Sequence, residues 1–261
     1  ENAWSPVWSS KVDLSENTER FSDATGYIKE GKNRSAQLLW DNTVKLVPGQ
    51  SLQLGLEHRR IRFDDNPSTG YRPRRVNAVR LGYVGQQGSF NWQANLRRDR
   101  TSDFGDASSY YLGLGYALSP QVKLIGSAST AFNAPSFIDL ASQDPTLPPL
   151  KAERASNREL GIQYSAGGLL TRATVFTNHQ RDRIEYDLVS NFSVNAGRAS
   201  NKGLELSLNA PVGPGLLGVD ATFQDPVNDT TGDSLKRRAR TNLALNYSVD
   251  LGLWQFGAYL K

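Results

Sequence analysis

Apolar and polar residues alternate along most of this chain. Phe90, Trp92, Ala94 and Leu96 interleave with Asn91, Gln93, Asn95 and Arg97. Tyr110, Leu112, Leu114, Tyr116 and Leu118 do so with Tyr111, Gly113, Gly115 and Ala117. Leu160, Ile162 and Tyr164, then Leu204, Leu206 and Leu208, then Leu243, Leu245 and Tyr247 repeat the pattern. Weaker alternation covers 8–21, 34–46, 51–63, 75–86, 122–132, 169–181, 217–224 and 253–261. A period of two marks strands with one apolar face, and the template predicts about thirteen of them. No stretch carries convincing helical periodicity. The predicted fold class is all-β.

The connections alternate as well. Short turns rich in Gly, Pro, Ser and Asn lie near 47–50, 86–89, 119–121, 166–168, 210–215 and 249–251. Between them fall the longer connections 22–33, 64–74, 100–108, 133–155, 182–198 and 225–236. Short turns at one end and long loops at the other describe an antiparallel up-and-down transmembrane β-barrel. A soluble Greek-key sandwich has no reason to sort its loops this way. The apolar face is aliphatic at mid-strand, and Trp40, Trp92, Tyr110, Tyr164, Tyr247 and Trp254 fall near strand ends. Headgroup-level aromatics occupy such positions, as do aromatics in ordinary sandwich packing. The other face is rich in Arg, Asn, Gln, Glu and Gly. A dry interior would charge heavily for that set, so the predicted lumen is wide and wet, or filled by a polar plug.

Composition narrows the classes. The chain has 261 residues, no cysteine and a net charge of +4. Disulfides and thiolate metal sites are therefore out of reach. The small net charge, with Lys and Arg scattered, gives no nucleic-acid footprint. Mean hydropathy is -0.51, and no run reaches the ~18 apolar residues of a membrane helix. A barrel escapes that limit because only alternate residues face lipid. The chain begins with Glu1 and contains no methionine, so it reads as a mature or excised segment. An odd strand count would make closure pair parallel strands, whereas bacterial barrels have an even number. The expectation is a barrel segment over 1–261 that lacks a plug domain and the last strands.

Three motifs invite chemistry. Gly232-Asp233-Ser234-Leu235 spells a serine esterase signature. Its serine would need a downstream histidine, and both histidines, His58 and His179, lie upstream. The reading is a chance loop sequence. Asp225, Asp229 and Asp233 recur every four residues, a spacing that differs from the EF-type calcium loop, so a solvated acidic loop is expected. His58, between Glu57 and Arg59, reads as a surface or lumen histidine. No cofactor or metal is implied.

The stretch from Thr130 to Tyr164 carries a more specific signal. Phe132-Asn133-Ala134-Pro135-Ser136, then Pro149-Leu150-Lys151-Ala152-Glu153, then Asn157-Arg158-Glu159-Leu160-Gly161 resemble the TonB-dependent outer-membrane receptors. That family has an F-x-A-P-S turn, an N-P-x-L-x-P-E-like loop and a strand beginning E-x-G. Ala152 and Asp144 depart from its usual Pro and Asn. Thr174–Asn178 with Arg183–Tyr186, Asn195–Ala199 with Lys202–Glu205, and Lys236-Arg237-Arg238-Ala239 extend the resemblance, the last being most like the cobalamin receptor branch. Residues 130–261 carry these motifs, and the first 129 match only as generic barrel.

The resemblance implies a parent barrel of about 22 strands in the bacterial outer membrane. That parent would be an active transporter without enzymatic activity. The implied cargo is cobalamin, with a ferric siderophore or haem as the alternative, and a passive porin or outer-membrane esterase behind them. The implied partners are the TonB–ExbB–ExbD complex, acting through the plug, together with lipopolysaccharide and outer-membrane lipid. Arg237 and Arg238, where an outer loop enters a strand, are the best candidates for cargo contact, because an arginine fork donates several hydrogen bonds; the alternative is a lumen arginine paired with a plug carboxylate or a lipopolysaccharide phosphate. Asn195 follows the same logic.

Overall fold

The structure is a computed structural model that describes residues 2–22, 31–65, 73–252 and 254–260. Its strands are β1 (Asn2–Ser5), β2 (Trp8–Phe21), β3 (Gly31–Val47), β4 (Gln50–Asp65), β5 (Arg74–Gln87), β6 (Phe90–Thr101) and β7 (Asp106–Ala117). They continue as β8 (Val122–Asn133), β9 (Glu153–Ala166), β10 (Leu169–Asp187), β11 (Phe192–Val212), β12 (Gly215–Asn228), β13 (Thr241–Asp250) and β14 (Gln255–Leu260). One short helix, α1 (Phe137–Ala141), interrupts the β8–β9 connection. Among the described residues the fourteen strands form a single sheet in chain order. Each pairs antiparallel with the next, from β1–β2 to β13–β14.

Every predicted strand is present, and β1 is added. Four residues are too few for alternation to register, so the sequence count falls one short. With fourteen strands the parity reason for an incomplete barrel lapses, yet the sheet is open, with β1 and β14 each holding one neighbour.

The register explains the alternation. Trp40 lies opposite Leu56, Leu56 opposite Val79, Leu54 opposite Leu81, and Leu81 opposite Leu96. Farther along, Leu160 faces Val175, Val175 faces Leu204, and Leu204 faces Phe223. Directly opposed residues share a face, so one continuous apolar band runs across the sheet. It is turned outward: Leu114 is 65% exposed, Leu160 62% and Leu243 59%. Among the described residues the buried apolar side chains are Phe63, Val76, Leu150, four alanines and the prolines Pro135 and Pro226. A soluble protein inverts that ratio, and a band of this extent needs lipid against it.

Aromatics gather toward the short-turn end of this band. Phe90 packs on Tyr116 with ring centroids 4.5 Å apart, and Tyr83 on Trp92 at 6.1 Å. Trp8 Nε1 donates to Asn42 Oδ1 at 3.2 Å. Trp92 lies directly opposite Gly85 and covers the space a side chain there would need. Trp40, expected near a strand end, sits at mid-strand, and its Nε1 donates to Ser10 Oγ at 2.7 Å. The short turns are tight: Gly167 and Gly168 join β9 to β10 with φ of 56° and 83°, values that suit glycine and match the twist of a two-residue hairpin.

The far end differs from expectation in length. The expected loops 22–33 and 64–74 fall largely outside the described residues. The expected loop 100–108 shrinks to 102–105, because Arg100 pairs with Asp106 and Arg98 Nη2 bridges Asp106 Oδ2 at 3.1 Å. The expected loop 182–198 is mostly hairpin, with β10 and β11 paired up to Asp187 opposite Phe192. Past Gln180 the register shifts, and Ile184 and Tyr186 then lie opposite Asn195 and Ser193, so each face of this hairpin mixes apolar and polar residues although pairing continues. Two long connections remain among the described residues, 134–152 and 229–240.

Candidate functional site: the outer mouth

The inner face is polar, and on β3 to β6 it carries paired charges. Arg97 reaches Glu57 at 2.8 Å and Asp99 at 2.6 Å, while Arg80 reaches Asp41 at 2.7 Å. The room for Asp99 comes from Ala78 and Ala107, its two directly opposite neighbours.

The 134–152 connection arches over this face and is tied at both ends. Ser136 caps α1, with Oγ accepting from Asp139 N at 3.0 Å while Asp139 Oδ2 accepts from Ser136 N at 2.8 Å. Pro135 is fully buried, and its carbonyl accepts from Arg74 Nη2 at 2.7 Å. Arg74 also binds Asp103 at 2.6 Å, and its guanidinium lies over the rings of Phe104 and Phe137, 4.9 and 4.7 Å from their centroids. Phe137 in turn stacks on Phe63. The F-x-A-P-S turn is thus a structural anchor: the proline fills a pocket and the serine starts a helix whose aromatic plugs the wall. Farther along, Asp144 accepts from the hydroxyl and then the backbone N of Thr146, which holds its carboxyl below the usual carboxylate range. At the connection's end Glu153 accepts from Ile184 N and Asn133 Nδ2, both at 2.8 Å.

Asn195 belongs to the second tie. Its Oδ1 accepts from Lys151 N at 2.8 Å, and its Nδ2 donates to Lys151 O at 3.0 Å and Asp182 O at 2.7 Å. Those bonds commit the amide to fixing the loop on β10 and β11.

Arg237 and Arg238 lie in the 229–240 connection, since β13 begins only at Thr241. Arg237 is left-handed, with φ of 59°, an unfavourable backbone for a non-glycine residue, so the pair does not alternate as it would on a strand. Arg238 lines an inner-face cavity of about 500 Å³ together with Lys236, Arg183, Glu159, Glu205 and Asn201. Arg237 is not among its lining residues. Asn201 Oδ1 is buried there without a partner among the described residues, and Asn201 Nδ2 donates to Gln224 Oε1 at 2.8 Å. Arginine, lysine and amide donors converging beside two carboxylates make a polar recognition surface rather than a reaction centre.

The remaining motifs have other partners. Ser234 Oγ accepts from Arg240 at 2.8 Å, and Arg240 also binds Asp225 at 2.9 Å. Asp229 accepts from the Ser200 hydroxyl at 2.6 Å. His58 contacts Asn77 Oδ1 at 2.8 Å on the outward face. No group of three His, Cys, Asp or Glu residues among the described ones is placed to hold a metal. Sequence reasoning missed Arg74 and Asp103, whose partners lie 61 and 29 residues away along the chain.

Comparison with known proteins agrees with this architecture. The family described as "TonB dependent receptor-like, beta-barrel" matches residues 3–260. A vitamin B12 transporter, BtuB, from Vibrio vulnificus (strain YJ016) is 28% identical over 222 residues, covering 81% of this chain and 36% of that protein. Among solved structures, a mutant of the ferric enterobactin receptor PfeA from Pseudomonas aeruginosa superimposes with a TM-score of 0.81 at 20% identity, covering 97% of this chain and 46% of that one. The siderophore receptor PirA from Acinetobacter baumannii gives 0.74 at 17% identity, covering 94% and 45%. The chain therefore spans less than half the length of each of these three relatives.

Proposed function

Because the chain belongs to the TonB-dependent receptor β-barrel family, whose members are outer-membrane transport proteins rather than enzymes, we propose that it forms wall and outer mouth of a cobalamin transporter. The outer membrane offers no energy source of its own. In this reading the TonB–ExbB–ExbD complex supplies it through a plug domain, and further strands close the barrel. Lipopolysaccharide and outer-membrane lipid surround the apolar band. The observation that carries the reading is the cavity beneath the 229–240 connection, where Arg238 and Lys236 face Asn201 and two carboxylates. Arg238 contacts cargo directly, Arg237 contributes from the rim, and Asn195 shapes the mouth by holding the 134–152 loop. The extent of identity with a vitamin B12 transporter supports cobalamin.

A ferric siderophore is the second reading. Three cations, Arg183, Lys236 and Arg238, outnumber Glu159 and Glu205 in the cavity, which suits an anionic chelate. Equilibrium binding of cobalamin and of a ferric siderophore to the full-length protein separates the two. Cobalamin is expected to bind and the siderophore to be ignored. The reverse result would move the cargo, and binding of neither, with free ion conductance in planar bilayers, would point to a porin.

A further inference from the structure

The wall parts at one place. β6 and β7 stay paired up to Arg100 opposite Asp106, and β8 and β9 up to Asn133 opposite Glu153. Between β7 and β8 the ladder stops at Tyr111 opposite Ser129. Beyond that point Tyr110 N donates to the Thr130 hydroxyl at 3.1 Å instead of to a ladder carbonyl. The strands splay, and a cleft of about 430 Å³ opens at the long-loop end. Ser108, Tyr110, Thr130, Arg154, His179 and Arg181 line it. By register Ser108, Arg154, His179 and Arg181 share the outward face with Leu112 and Leu160, so the cleft opens beside the apolar band.

Its charge is unbalanced. Arg154 and Arg181 are directly opposite one another, an arrangement that destabilises a sheet. Neither has an ion pair among the described residues, and Arg158, on the same face of β9, has none either. The outward carboxylate of β7, Asp106, is already held by Arg98. Immediately toward the short-turn end, β8 presents Ala128 and Gly126 between Leu112 and Leu114 on one side and Arg158 and Leu160 on the other. A side chain at Gly126 would meet nothing closer than 3.9 Å, so a shallow apolar trough leads down from the cationic cleft. Hydroxyls and unmatched arginines above, apolar trough below, on a lipid-facing wall, suit one chemical class: an acylated lipid bearing phosphate on a sugar.

We propose that this cleft is a binding site for the phosphorylated glucosamine headgroup of outer-leaflet lipopolysaccharide. Arg154 and Arg181 grip a phosphate, the Ser108, Tyr110 and Thr130 hydroxyls meet the sugar, and an acyl chain lies along Gly126 and Ala128. The proposal rests on the reading of this sheet as an outer-membrane wall, and it is independent of cargo.

The test uses the full-length protein, delipidated in a zwitterionic detergent, with bisphosphorylated lipid A, its dephosphorylated form and inorganic phosphate as probes in native mass spectrometry. Bisphosphorylated lipid A is expected to bind, and the dephosphorylated lipid to bind at least ~10-fold more weakly, as loss of a charge-assisted hydrogen bond implies. Inorganic phosphate should not displace the lipid. The double variant Arg154→Ala/Arg181→Ala should lose at least ~10-fold in lipid A affinity while keeping a heat-resistant barrel and wild-type cobalamin binding. Gly126→Leu, with both arginines intact, should weaken lipid A by filling the trough. Wild-type lipid binding in either variant, equal binding of the dephosphorylated lipid, or full displacement by inorganic phosphate would overturn the proposal. Loss of cobalamin binding by the unaltered protein would instead strike the cargo reading and leave this site standing.

Discussion

Arg97→Ala is expected to destabilise the barrel wall by about 3–5 kcal/mol, the range for removing one partner of a buried ion pair. Arg97 donates through Nε and Nη2 to Asp99 at 2.8 and 2.6 Å, and through Nη1 to Glu57 at 2.8 Å. The carboxylate side chains are 1% and 5% exposed. Alanine would strand the Asp99 carboxylate without an ion partner, while Glu57 would keep only Arg59 at 3.7 Å. The measurement is denaturant unfolding of the full-length protein in detergent, followed by tryptophan fluorescence. Adding Asp99→Asn to Arg97→Ala should recover much of the loss, because the stranded charge is then gone. A cost below ~1 kcal/mol for Arg97→Ala would mean the pair behaves as a solvated surface bridge.

Arg238→Ala is expected to weaken cobalamin binding by about 10- to 150-fold, equivalent to losing one charge-assisted hydrogen bond of roughly 1.5–3 kcal/mol. Arg238 lines the mouth cavity and is exposed, so the barrel should fold unchanged. Cobalamin's phosphate is neutralised internally, and the guanidinium would therefore donate to its amide oxygens. Arg238→Lys keeps the charge without the fork and should recover only part of the affinity. Arg237→Ala should cost less, because Arg237 is not among the lining residues. Equal and negligible effects at both positions would remove the 229–240 connection from the cargo site.

The strands were legible because lipid demands an apolar residue at every second position. Leu54, Leu56, Leu81 and Leu96 satisfy that demand in register. The charged run Arg181-Asp182-Arg183 interrupts the alternation where the register shifts, which is why 182–187 and 192–198 read as loop although they pair. The arginines proposed to meet cargo were half legible: position along the chain marked Arg237 and Arg238 together, and the left-handed backbone at Arg237 separates them. The part played by Asn195 was hidden, since its partner Lys151 is 44 residues away. Arg74 was hidden for the same reason, and only folding shows why the F-x-A-P-S turn needs its proline and serine. The split between β7 and β8 leaves no trace in either strand's pattern, because it is a property of their pairing.

Uptake of labelled cobalamin tests the central claim most directly. Cells lacking their own cobalamin receptor would express the full-length protein, with TonB present or deleted. The expected result is accumulation above the external concentration only when TonB is present, reduced by Arg238→Ala at subsaturating cobalamin. Accumulation that is indifferent to TonB, or that merely equilibrates with the medium, would contradict the reading of this barrel wall as part of an energised transporter.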